Sequence, residues 1–101
     1  MPNASPRVIW RDDGLVVRVR LTDEGDLQFA GHDLRSSPFD DEYEYWVTVP
    51  ARDLPTIISA LDGRTGDDVI DLVARHAATI VRQGEREWVR SLGIEPGFFA
   101  H

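Results

Sequence analysis

The chain changes its hydrophobic period once, near Pro50. Before that point apolar and polar residues alternate. Leu15, Val17, Val19 and Leu21 share one face of a stretch whose other face carries Val16, Arg18, Arg20 and Thr22, the signature of a half-buried antiparallel strand. Asp13-Gly14 is a hairpin signal that separates this strand from a short one over Val8 to Arg11. After the turn Asp23-Glu24-Gly25-Asp26, a third strand over Leu27 to Gly31 points Leu27 and Phe29 inward and Gln28 outward. Residues 32–42, with Ser36, Ser37 and Pro38, read as a loop. A fourth strand, Tyr43 to Val49, places Tyr43, Tyr45, Val47 and Val49 on one face and Glu44, Trp46 and Thr48 on the other.

Beyond Pro50 the period is helical. Leu54, Ile57, Ile58 and Leu61 have the i, i+3, i+4, i+7 spacing of an amphipathic helix over Ala51 to Asp62, with Pro55 in its first turn and Gly63 at its end. A capping arrangement over Thr65 to Asp68 opens a second helix, Asp67 to Gln83, burying Val69, Ile70, Leu72, Val73, Ala77, Ile80 and Val81. Gly84 stops it. A short third helix, Glu85 to Leu92, carries Trp88, Val89 and Leu92 and ends at Gly93. Pro96-Gly97 then turns the chain, and Phe98-Phe99 is expected to pack back on the body.

Strands first and helices second predict an α+β fold: a four-stranded antiparallel sheet over residues 7–49, then two long helices and one short helix packed on one face. The core expected from these faces is Val17, Val19, Phe29, Tyr45, Val47, Leu54, Ile58, Leu61, Leu72, Val73, Ile80 and Trp88. With 101 residues the chain fits one domain over 7–101, preceded by a disordered tail over 1–6.

Composition adds constraints on chemistry. The absence of cysteine excludes disulfides, thiolate metal sites and a cysteine nucleophile, and fits a cytoplasmic location. No apolar run is long enough to span a membrane. His32, His76 and His101 lack metal-ligand spacing, and the run Asp40-Asp41-Glu42-Tyr43-Glu44 does not match a calcium loop. No nucleophile elbow, phosphate loop or dinucleotide fingerprint is present. The sequence therefore predicts no catalytic residue, no metal and no cofactor.

The net charge of −7 is uneven. Residues 23–53 hold Asp23, Glu24, Asp26, Asp33, Asp40, Asp41, Glu42, Glu44 and Asp53 against Arg35 and Arg52, and so account for the whole excess. Such a surface repels nucleic acid and favours a basic protein partner. Trp46 faces away from the core side of its strand, beside Glu44, and tryptophan is enriched at binding hot spots. Asp40, Asp41, Glu42, Glu44 and Trp46 are the partner-binding residues this reading selects. Lysine is absent and arginine takes its place throughout, consistent with a GC-rich genome.

The stretches Gly31-His32-Asp33-Leu34, Glu42 to Leu61 (EYEYWVTVPARDLPTIISAL), Gly66-Asp67-Asp68-Val69 and the aromatic C-terminus after Gly93-Ile94 resemble a family of small, uncharacterised actinobacterial proteins of α+β type. The resemblance covers roughly residues 25–100 and carries over no functional residue. In size, charge and composition, without a shared motif, the chain is also similar to immunity proteins of bacterial toxin systems. The first functional expectation is thus a non-enzymatic interaction protein that binds a basic partner through its acidic surface, with toxin neutralisation as its sharpest form. The alternatives are an accessory or regulatory domain that self-associates as a homodimer through its sheet, and a ligand-binding domain or enzyme with a pocket between sheet and helices.

Overall fold

The computed structural model describes residues 6–12, 14–34 and 43–101. Five strands form one antiparallel sheet in sequence order: β1 Arg7–Asp12, β2 Leu15–Leu21, β3 Leu27–Asp33, β4 Tyr43–Val49 and β5 Gly97–Ala100. The expected class, α+β with an antiparallel sheet, is the one observed. The expectations for the tail and for the β3–β4 loop fall almost wholly outside the described residues.

The sheet has one strand more than the alternation predicts. Gly97 to Ala100 returns from the last helix and pairs with β4, matching Thr48 with Gly97 and Tyr45 with Ala100. Four residues are too few to display a period of two, so this segment carries no strand pattern of its own. The free edge of β4, with its unpaired backbone groups, recruits it. The strands before it follow the predicted faces. Val19, Phe29 and Val47 are in register across β2, β3 and β4 on the helix side, with Val17 in the next row of that face, and all four are fully buried or nearly so.

The helices are shorter and more numerous than predicted. A 3₁₀ turn over Ala51–Asp53 leads into α1 Leu54–Ala60, followed by α2 Val69–Arg75, α3 Ala77–Gln83 and α4 Glu85–Ser91. The single helix expected over Asp67 to Gln83 begins instead at Val69, where Asp68 caps the amides of Ile70 and Asp71. It then breaks at His76, whose φ is −110° and ψ 18°. There the His76 amide is shared between the carbonyls of Leu72 and Val73, and the ring Nδ1 lies 2.9 Å from the Leu72 carbonyl. A side chain competing for a helical carbonyl disturbs the ladder. The apolar spacing continues across the break, which is why the pattern does not reveal it.

The core lies between the sheet and the helices. Ile57, Leu61, Val69, Leu72, Val73, Ile80, Trp88 and Val89 close over the sheet residues. Of the expected core, Tyr45, Leu54 and Ile58 are only partly buried, and Ile57 takes the fully buried place on α1. An ion pair between Arg7 of β1 and Asp71 of α2 fastens the outer strand to the helical layer. Among the described residues no helix lies on the other face of the sheet.

Candidate interaction surface

The open face follows from the register. Because successive side chains alternate, each residue between the buried ones of β2, β3 and β4 points away from the helices. Arg18, Ala30 and Trp46 lie in one cross-strand row, and Arg20, Gln28 and Thr48 in the next. Phe99 of β5 pairs with Trp46, and their ring centroids are 5.5 Å apart at 41°. Trp46 is half-buried, while Phe99 keeps 62% of its surface exposed. The Trp46 ring is thus held in place by an aromatic neighbour that is itself open to contact.

Beside the rings runs a polar ladder. Arg20 Nε donates to Gln28 Oε1 at 3.0 Å, and Gln28 Nε2 donates to Thr48 Oγ1 at 3.2 Å. The amide of Gln28 is fixed from both sides, and the rest of the Arg20 guanidinium faces a shallow groove of about 480 Å³. Trp46, Thr48, Gly97, Phe98 and Phe99 complete its lining with Gln28. A smaller hollow, about 170 Å³, continues past Trp46 to Arg18 and Ala30. The groove therefore offers aromatic area, two arginines and a fixed amide on a rigid sheet.

The structure separates residues that the charge count grouped. Asp23, Glu24 and Asp26 sit in the β2–β3 turn, where Asp26 Oδ1 accepts the amide of Ala51 at 2.8 Å. Glu44 lies near the opposite end of β4, paired with His32 and with the backbone of His101. Trp46 stands between these ends, flanked in its row by Ala30 and Phe99, and the hollow beside it is lined by Arg18 and Arg20. Asp40, Asp41 and Glu42 lie outside the described residues. Glu44 shares the open face with Trp46, as the alternation predicts.

A second constellation lies on the helix side and has no sequence signature. Tyr45 reaches over the sheet to donate its phenolic hydrogen bond to Oε1 of Glu85, the first residue of α4. Gly31, its cross-strand partner, makes the reach possible: a Cβ there would stand 2.0 Å from Tyr45 Cζ. Gly84, at φ 96°, turns the chain so that Glu85 enters the interior. Glu85 is 3% exposed, the one charged residue buried among the described residues. Burial pushes its carboxyl above the ordinary 4.5, against the opposing pull of the Tyr45 bond and of a backbone hydrogen bond. The adjoining hollow, about 190 Å³, is below the usual size of a ligand pocket, and its lining includes Tyr43, Val47 and Phe98.

Fold and site together define an antiparallel α+β domain with one helix-covered and one open sheet face. Comparison of the chain with family models, curated proteins and solved structures finds no match. Among the described residues no helix is long and apolar enough to cross a membrane, and no group of three or more potential ligands is arranged to hold a metal ion.

Proposed function

We propose that this protein is a non-enzymatic interaction domain and that its docking surface is the open sheet face, with Trp46 as the anchor. The observation that carries the reading is the Trp46–Phe99 pair at the wall of the Arg20 groove. A tryptophan fixed before binding loses little conformational freedom on contact, and Trp and Arg dominate binding hot spots. Arg18 and Arg20 beside the ring match a partner segment that carries an apolar residue next to carboxylates. The guanidinium of Arg20, oriented by Gln28, is suited to a carboxylate there.

The net charge of −7 favours a second reading, in which Asp40, Asp41, Glu42 and Glu44 attract a basic partner, as a toxin-neutralising protein would. One experiment separates the two. The partner is captured from the native host, and its binding kinetics are compared for the wild type, Trp46→Ala, the pair Arg18→Glu with Arg20→Glu, and the triple Asp40→Asn, Asp41→Asn, Glu42→Gln. The docking reading expects faster dissociation from Trp46→Ala, loss of binding with the arginine pair, and little change with the triple. Slower association confined to the triple favours the basic partner. Unchanged rates in all three overturn both.

A further inference from the structure

The two edges of the sheet are built differently. β1 carries Arg7, Arg11 and Asp12, and its pairing with β2 is interrupted by a bulge between Val8 and Trp10. Charges and bulges of this kind block the addition of another strand. β5 has none of them. Its residues, Gly97 to Ala100, are uncharged and all exposed.

The hydrogen-bond phase of β5 is fixed by its last rung. Glu44 and His101 exchange backbone bonds in both directions. By antiparallel alternation, Trp46–Phe99 and Thr48–Gly97 are the next bonded pairs. The N–H and C=O groups of Phe98 and Ala100 therefore point away from β4, along the outer edge of the sheet.

We propose that β5 pairs antiparallel with β5 of a second copy of this chain, with Phe99 on the twofold axis, joining the two sheets into one. The strand is complementary to itself in this register. Phe98 lies opposite Ala100 of the second copy and exchanges its outward N–H and C=O with it, a large side chain against a small one. Symmetry repeats the match with Ala100 opposite Phe98. Phe99 then meets Phe99 in a non-bonded pair, the position where side chains approach most closely. On the open face this extends the Trp46–Phe99 row into the second copy and covers the most exposed large apolar side chain of the described residues. An isologous contact of this kind closes on itself and stops at two chains.

A four-residue edge buries less than the roughly 1,200–2,000 Å² of a standard stable complex, so the dimer is reversible and concentration-dependent. Each copy carries a net charge of −7, while the pairing edge carries no acid. Added salt screens the mutual repulsion and strengthens the dimer. Docking of a carboxylate-bearing segment on Arg18 and Arg20 is weakened by the same salt, so the sign of the salt dependence tells the two interactions apart.

The test is sedimentation equilibrium of the full chain from low micromolar to near-millimolar concentration, at low and high salt. The expected result is a mass rising from monomer to dimer and no further, with tighter association at high salt. Ala100→Pro removes an outward N–H and leaves the bonds to β4 in place, so it should hold the protein monomeric while Trp46 still docks its partner. Phe99→Glu, which places two carboxylates at the axis, should also hold the protein monomeric and decides the matter if Ala100→Pro fails to fold by circular dichroism; only its mass is read, because Phe99 also walls the docking groove. A monomer at every concentration overturns the proposal. So does a dimer that survives the folded variants, because its interface then lies elsewhere.

Discussion

The Tyr45 phenol on β4 donates to Oε1 of Glu85, 40 residues further along the chain, and it does so across the backbone of Gly31. Three elements meet there: β3 supplies the gap, β4 the phenol and α4 the carboxylate. The bond ties the last helix to the centre of the sheet and leaves Val47 and Phe98 beside it on the same face.

Gly31→Ala should destabilise the protein, although alanine is ordinarily the better strand residue. In an open strand the substitution gains roughly 0.5–1 kcal/mol. Here the new methyl group overlaps the Tyr45 ring, and displacing a packed ring costs ~1–3 kcal/mol. Urea denaturation checks the sign. A variant as stable as the wild type would mean that Tyr45 swings aside freely and that its bond to Glu85 matters little.

Glu85→Gln should raise the melting temperature at neutral pH and lose that advantage in acid. The folded protein holds the Glu85 proton more tightly than the unfolded chain does, because burial raises its pKa above 4.5. The stability linked to that proton is complete below the unfolded value and is lost as pH rises through the folded one. Glutamine keeps an acceptor for Tyr45 and does not ionise. Melting curves of the two proteins from acid to neutral pH should therefore diverge upward from about 4.5. A constant gap would show that Glu85 does not titrate in this window.

Tyr45→Phe should cost ~1–3 kcal/mol, because the buried Glu85 carboxyl loses one of its two hydrogen bonds. In the double variant with Glu85→Leu the cost of removing the hydroxyl should shrink, since the carboxyl it served is gone. A double-mutant cycle by chemical denaturation measures the coupling. Additive effects would separate the two residues energetically.

On α1 the two isoleucines should differ. Ile57 is fully buried and Ile58 only partly so. Ile57→Ala is expected to cost ~2–5 kcal/mol, and Ile58→Ala less. Equal losses in urea would place both side chains against the core.

Trp46→Ala should leave the fold intact. Its ring packs on Phe99 outside the core, and an aromatic pair of this kind contributes ~0.5–1.5 kcal/mol beyond its area. Loss of more than ~3 kcal/mol in urea would make Trp46 a structural residue and remove the anchor from the docking surface.

The sequence by itself determined the face of each strand. Alternation in Leu15 to Thr22 and in Tyr43 to Val49 placed Val17, Val19 and Val47 inside and Arg18, Arg20 and Trp46 outside, because side chains on a strand must alternate and a one-residue slip would reverse them all. It likewise determined the switch to helices after Pro50. Tertiary structure decided what depends on partners distant in the chain. β5 exists because β4 had an edge to satisfy. The helix over 67–83 broke where the His76 ring competed for a carbonyl that periodicity cannot register. Phe99 came to lie against Trp46 through a strand pairing that four residues do not announce. Glu85, an ordinary first-turn acid by sequence, was buried because α4 settled on the sheet where Gly31 left room for Tyr45 to reach it. Side-chain period is local and is written in the chain, whereas burial, edge pairing and the environment of a carboxylate are set by which surfaces meet.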